Sequence, residues 1–566
     1  MHEFVYYNEK ELDFPLSESI YVTKDLVEAS SGDFIVSNSK SVNAELIADE
    51  IDYYITHSQD TLAQKITTIE KLYEMNAIRF DMAQDITYSQ EVNNAVLLVG
   101  TNDEKKEFLR ATIPNEFDLF HVEPSIVKSI SGHIGNLDVM VADGEDEVKL
   151  SVSQIVWFNK EEIADKQSGA FDPLETSLDE VLAQLRLNIT NYEYKKFTTY
   201  DKTICQYHER REEICSKCEE VCPTVAIVKD DENKHLGFSQ IDCHGCGGCI
   251  SVCPSGAIDY APSNRGTIFE MARLTKGHIP LVIPQKMEVK NLNVSIKENV
   301  LPFAIEGEKF LHEGTLLTLL QESGSQVIFY SDFLSKGTKD AISILNQIYQ
   351  AKYGVDAILI AMDETELHLA LKEVNFVENS QFSFNESESK KREIFAIRLS
   401  HIVGNEDLGV VRTGEHVHYG HVKVNESNCT LCLSCVGACN VGALIADTSD
   451  NTLRLNASIC TACGYCEVSC PEVNCLTIER DVIKLAPSWF SEEVLAQDEL
   501  FACVECGKEF ATTKAIEKIA NIMAPLFKAD PIKERTLYCC EDCKGKVMMQ
   551  SYLADKSNYN NPTVGA

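Results

Sequence analysis

The sequence predicts an α+β multidomain protein. Two small cysteine-rich modules of one design flank a middle α/β domain built on a parallel sheet, with a helical plus α/β region before them and a cysteine-knuckle module after them. Three observations carry this. The chain has 566 residues, too many for a single hydrophobic core. All 22 cysteines lie beyond residue 204, in three bursts separated by cysteine-free sequence. Between Cys253 and Cys429 there is no cysteine, and strand and helix patterns alternate there.

Hydrophobic content of 44% and charged content of 25% are those of a globular chain, which excludes extended disorder. The formal charge of −37 repels phosphate backbones and anionic lipid, so nucleic-acid and membrane-surface roles are set aside. It suits docking onto a basic face of a protein partner, or serves solubility alone. Met1–Phe14 lacks the basic and apolar regions of a signal peptide, and the twin arginines Arg210 and Arg211 stand mid-chain. No run approaches the roughly 18 apolar residues of a membrane span. The expected compartment is therefore the cytoplasm, where cysteines at these spacings read as metal ligands rather than disulfides.

In chain order, residues 1–90 are expected to be mainly helical: Val42 to Met82 contains no Gly or Pro and follows a Ser41 cap. Residues 91–200 read as a small α/β or β domain with a helical connector. Its strands are Ala95–Val99, Val139–Ala142 and Val148–Trp157, with a turn at Gly144 and Asp146 and a helix over Ser177–Tyr194. The first cysteine module spans 201–265 and the middle domain 266–400. Strands are expected at Ile279–Ile283, Leu301–Ile305, Gln326–Tyr330 and Asp356–Ala361, and helices at Thr315–Glu322 and Thr338–Tyr353, stopped by Gly324 and Gly354. Val377 to Arg392 is polar and reads as a mobile loop. The second cysteine module spans 401–485 and the C-terminal module 486–566.

The most specific signal is at 429–470, where Cys429, Cys432, Cys435 and Cys439, then Cys460, Cys463, Cys466 and Cys470–Pro471, repeat C-x2-C-x2-C-x3-C. Two intervening residues let a tight loop set three thiolates on one face of a cube, with backbone N–H groups turned toward sulfide; the fourth cysteine is expected to open a short helix. An earlier copy has Cys243, Cys246, Cys249 and Cys253–Pro254, with Gly245, Gly247 and Gly248 allowing close backbone approach. Its partner run has Cys215, Cys218 and Cys222–Pro223, but Glu212 stands at the first position. Cys222 to Cys243 and Cys439 to Cys460 are both 21 positions apart (243 − 222 and 460 − 439), the mark of an internal duplication.

These runs resemble the bacterial two-cluster ferredoxins and the larger polyferredoxins, over about 120 residues. The resemblance implies two ferredoxin-like dicluster modules holding four [4Fe–4S] clusters, each borrowing its fourth ligand from the neighbouring run. The implied sets are Cys429, Cys432, Cys435 and Cys470; Cys460, Cys463, Cys466 and Cys439; Cys243, Cys246, Cys249 and Cys222; and Cys215, Cys218 and Cys253 with Cys205, ten positions before Cys215. His208 or an open iron site are the alternatives to Cys205. Zinc is the alternative for all sixteen, though zinc sites favour paired C-x2-C knuckles closing one tetrahedron.

The third burst differs in kind. Cys503, Cys506, Cys540 and Cys543 form two such knuckles around a helical stretch, Thr512–Met523, and read as a zinc-ribbon-like site for one Zn2+. Cys475 and Cys539 have no assigned role. Two departures stand out: Asn440 follows Cys439 where the other runs have proline, and Gln206–Ile214 inserts His208, Arg210 and Arg211 beside the first centre as a docking spot or a solvated loop.

The order ICSKCEEVCP, IDCHGCGGCISVCP, NCTLCLSCVGACN, ICTACGYCEVSCP and CVECGKEF…CCEDCK is also similar to a group of large cytoplasmic 4Fe–4S proteins associated with molybdenum- or tungsten-containing formate dehydrogenases of anaerobic metabolism. Residues 278–374 are weakly similar to the delta subunit of hydrogenases coupled to heterodisulfide reductase, which places cysteines where this chain has none. The resemblance implies an electron carrier for a partner oxidoreductase such as formate dehydrogenase, with no catalytic residue of its own. A flavin-linked reductase and a metalloenzyme assembly factor are the competing classes; neither a G-x-G-x-x-G nor a P-loop is present.

Overall fold

The computed structural model describes residues 3–559, apart from 19, 30, 31, 40, 41, 145, 528 and 529; the expected Ser41 cap lies outside the described residues. The chain forms two compact units, one of 1–402 with 414–417, the other of 403–413 with 418–566.

The first unit opens with four short parallel strands in the order Val22–Thr23, Phe4–Tyr7, Phe34–Ser37, Leu46–Ile47. The long helical run is not continuous. Helices Asp49–His57 and Leu62–Asp81 are separated at Ser58, whose backbone is extended, and Thr61 with Gln64 starts the second through a capping box. Polar capping groups inside the apolar pattern break it.

A second parallel sheet follows, ordered Ala170–Phe171, Gln154–Trp157, Ala95–Val99, Asp118–Val122, beside an antiparallel sheet of Val127–His133, Asn136–Asp143 and Asp146–Val152. Val148–Trp157 is thus two strands in two sheets rather than one. The break is Ser153, fully buried, whose N–H donates to the Ala95 carbonyl at 2.9 Å and whose hydroxyl donates to Asn93 at 2.8 Å. Helix Leu178–Asn188 seats Val181, Leu182 and Leu185 on Val96, Leu98 and Val156.

The middle domain is a parallel sheet ordered Val300–Ile305, Ile279–Pro284, Val327–Tyr330, Ile358–Ala361, every residue of its first three strands buried. Helices Glu313–Ser323 and Lys336–Tyr353 end on Gly324 and Gly354, both at φ 71°, where the left-handed turn favours glycine. The polar segment 377–392 is pinned rather than loose. Glu386 is buried in an ion pair with Arg398, which also bonds Glu322 at 2.7 Å, and Lys391 starts the helix Lys391–Val403. Its charges look solvated in sequence because their partners lie in other segments.

The first cysteine module begins at the strand Thr198–Tyr200, ahead of the expected boundary at 201, because that strand pairs with Ile258–Tyr260. A hairpin, Ile227–Asp230 with His235–Phe238, and helices Lys217–Glu220 and Gly248–Val252 complete it. The second unit repeats the plan. Gly420–Val424 pairs with Leu476–Arg480, the hairpin is Leu444–Asp447 with Thr452–Asn456, and the helices are Ser434–Ala438 and Tyr465–Ser469. Strand Glu492–Gln497 extends that hairpin past residue 485. The C-terminal part has a hairpin, Leu500–Ala502 with Glu509–Thr512, and helices Thr513–Phe527 and Glu541–Tyr559. Among the described residues no helix is long and apolar enough to cross a membrane.

Candidate metal centres

In each cysteine run the backbone does the same work. The third cysteine (Cys218, Cys249, Cys435, Cys466) sits on the short helix, and the fourth closes it: Cys253, Cys439 and Cys470 are the C-caps, and Cys222 follows the cap Val221. The fourth cysteine was expected to open a helix; it ends one, because the turn has already started at the cap two residues before the third cysteine, left-handed at Gly247, Leu433 and Gly464 and not at Ser216. Those left-handed residues come in pairs at Gly245 and Gly247, Leu431 and Leu433, and Ala462 and Gly464. For leucine and alanine this costs roughly 1–2 kcal/mol each, a strain of the kind found at functional loops. The altered first run has no such pair among its loop residues, in keeping with Glu212 in place of cysteine.

The helix ends carry each fourth cysteine across to the other run. Burial first, then the fields of Cys253 and Cys205 push the Cys215 thiol up to about 12, against the Lys217 N–H, which lowers it. Cys218 is raised by burial and by Cys253, Cys215, Cys249 and Cys205. Cys243 is pushed to about 11 by burial, with Cys246 and Cys222 adding to it. Cys249 is raised by burial and by Cys243, Cys246 and Cys222. A small, mainly apolar pocket is lined by Cys222, Cys243, Cys246 and Cys249.

In the second unit, burial and then Cys429, Cys432 and Cys470 drive Cys435 to about 12, and burial, Cys460, Cys463, Cys439 and Cys435 raise Cys466. A small pocket is lined by Cys429, Cys432, Cys435, Cys470 and also Cys475. Buried thiols whose ionisation is opposed by burial and by one another fit a multiply charged cation centre, which turns the repulsion into attraction.

Backbone N–H groups point at sulfur from two residues on. Tyr207 donates to Cys205 and Ala462 to Cys460, both at 3.4 Å, and Gly245 donates to Cys243 at 3.5 Å. Such donors stabilise negative charge on sulfur. Tyr200, which the sequence did not single out, stands beside Cys205. Its buried hydroxyl makes no hydrogen bond, and burial first, then the neighbouring Cys205, raises its pKa. Tyr260 stands in the same way near Cys243 and Cys246, its hydroxyl donating to the Gly245 carbonyl at 2.8 Å.

The loops at the carboxyl ends of the middle sheet press on this module. The Lys309 N–H donates to the Cys246 carbonyl at 2.9 Å, and a Cβ on Gly247 would fall 2.4 Å from Phe310 Cβ. Open α/β sheets bind ligands at that edge; here the Cys246–Gly248 loop and helix Gly248–Val252 rest against it.

The C-terminal knuckles bring the Sγ atoms of Cys503, Cys506, Cys540 and Cys543 within 4.8 Å of one another. Cys506 and Cys540 are 3.8 Å apart, the edge of a tetrahedron with arms of about 2.3 Å. Against burial, N–H groups of Cys540, Glu505 and Cys506 hold Cys503 down to about 6. Cys543 is pushed to about 12 by contact with Cys506, then by burial and by Cys540 and Cys503. Cys539 is buried beside this group, with its sulfur donating to the Arg535 carbonyl at 3.4 Å.

His208, the alternative to Cys205, also lies near Glu209 and His235. The two imidazoles stack at 4.6 Å with 17° between planes, and both Nε2 atoms approach Glu209 Oε1, at 3.4 and 3.8 Å. Arg211 on the inserted loop is exposed.

Residues 421–472 match the 4Fe-4S dicluster domain family, and residues 213–263 match the LdpA Fe-S cluster-binding domain family. This is a ferredoxin-like iron–sulfur protein. The second match takes in both runs of the first module and leaves Cys205 outside, eight positions before its start (213 − 205). No curated protein matches the iron–sulfur chain.

Proposed function

We propose that the chain is a one-electron relay, a polyferredoxin with four [4Fe–4S] clusters and one structural Zn2+. The observation that carries it is the exchange of fourth cysteines, which supports the sets Cys205, Cys215, Cys218 and Cys253; Cys243, Cys246, Cys249 and Cys222; Cys429, Cys432, Cys435 and Cys470; and Cys460, Cys463, Cys466 and Cys439. Cys503, Cys506, Cys540 and Cys543 would hold the zinc. A bound cluster supplies reversible uptake of a single electron. The protein holds the thiolates, turns N–H and O–H donors toward sulfur and keeps the surroundings apolar.

The partner is a protein donor or acceptor with a basic docking face, since the chain carries a charge of −37. A formate dehydrogenase, expected from the resemblance, is named by neither family match. Anaerobic purification with iron, sulfide and zinc analysis is the test. About sixteen irons and one zinc per chain are expected, with a dithionite-bleachable brown colour. A colourless, zinc-rich protein with the same fold would overturn the relay.

A further inference from the structure

Lys391 lies 138 positions from Cys253 in sequence and meets it in space. It is 2% exposed, and its Nζ donates to the Cys253 carbonyl at 3.0 Å and the Ser251 carbonyl at 3.4 Å, at the end of the helix that Cys253 caps. The site is built around it. Gly256 has φ 72°, and a Cβ there would fall 2.6 Å from Lys391 Cβ; next door Arg392 Nε donates to the Pro254 carbonyl at 2.6 Å. Buried ammonium groups are costly unless paired. Here the pair is Glu313, 0% exposed, with Oε2 at 3.4 Å. The other charged groups acting on Lys391 are Arg392, Arg265 and Cys253 itself.

We infer that Lys391 sets the reduction potential of the centre completed by Cys253, with Glu313 opposing it. The inference rests on the relay reading, in which Cys253 is a cluster ligand. Reduction adds one electron to that centre and makes or breaks no bond; the electron comes from the redox partner, or from dithionite in a titration. A buried cation beside a ligand favours the more negative, reduced state, and in a poorly solvated interior that field is weakly screened. Glu313 pulls the other way. The middle domain therefore acts on the first module electrically as well as by packing.

The test is an anaerobic redox titration of the cluster-loaded full chain, followed by electron paramagnetic resonance. Lys391→Met is expected to move one of the four midpoints to more negative potential. Glu313→Gln is expected to move the same midpoint to more positive potential, and Lys391→Arg to leave it near wild type. The centres of 429–470 serve as internal controls and should not move. Shifts of the same sign in the methionine and glutamine variants, or no shift in either, overturn the inference, since loosened packing has no sign. If Lys391→Met loses iron, Glu313→Gln decides alone: a positive shift upholds the inference and an unmoved midpoint overturns it. Wild type without cubane signals overturns the relay itself, whereas wild-type signals with unmoved midpoints overturn only the role of Lys391.

Discussion

Cys205 and Cys460 have the same backbone conformation: each caps a 3-10 turn, at φ −66° and ψ 136° for Cys205 and φ −66° and ψ 133° for Cys460. In both, a side chain four positions earlier accepts an N–H bond inside the turn, Asp201 from Thr203 and Asn456 from Ser458. In both, the N–H two positions later reaches back to sulfur at 3.4 Å. Cys205 therefore stands where the first cysteine of a complete run stands, and Gln206–Ile214 is an insertion behind it.

Cys205→Ala is accordingly expected to lower iron from about sixteen per chain toward about twelve, or to leave a three-iron centre in the first module. His208→Ala should leave iron unchanged. Iron analysis of the two purified variants checks this, and the reverse pattern would make His208 the ligand.

Tyr200→Phe removes a buried hydroxyl beside Cys205 and keeps the ring. Losing a hydroxyl dipole beside the ligand sulfur disfavours the reduced state, so one midpoint in the first module should become more negative at unchanged iron content. A redox titration read at low temperature decides it.

Asn440 replaces the proline of the other runs and restores a backbone donor after Cys439. The cluster bearing Cys439 should be harder to reduce in Asn440→Pro than in wild type. Equal midpoints would dismiss the effect.

Much of this was legible in sequence, and the reasons are local. The runs announce themselves because ligands to one centre lie two residues apart, and Gly324 and Gly354 mark helix ends because few other residues take a left-handed turn. Lys391 and Tyr200 carry no such mark, since only tertiary packing brings them to Cys253 and Cys205. The segment Val377 to Arg392 read as a mobile loop for the same reason: Arg398, the partner of its Glu386, sits on a later helix. Ser153 was missed because a strand that changes sheets keeps its β-rich pattern through the break.

Cys540→Ser is expected to abolish the zinc binding proposed for the C-terminal site and leave iron untouched. Because a structural zinc contributes folding energy directly, residues 500–543 should become sensitive to protease while the iron-bearing modules resist. Zinc analysis with limited proteolysis checks both halves.

Arg398→Met leaves Glu322 and Glu386 buried without their cation. Breaking such a group from one side costs about 3–5 kcal/mol, so the first unit should unfold at distinctly lower denaturant, with cleavage beginning in 377–390. Unchanged unfolding would mean that the two carboxyls find other partners.

The crossing of the fourth cysteines also orders events during synthesis. Cys205 leaves the ribosome 48 residues before Cys253 (253 − 205), and Cys429 precedes Cys470 by 41 (470 − 429). On the proposed ligand sets, the earliest thiols of each module wait, reduced and unmetallated, until the last has emerged and folded back. Neither member of a pair can be finished alone, so the module matures as a unit, after translation has passed it.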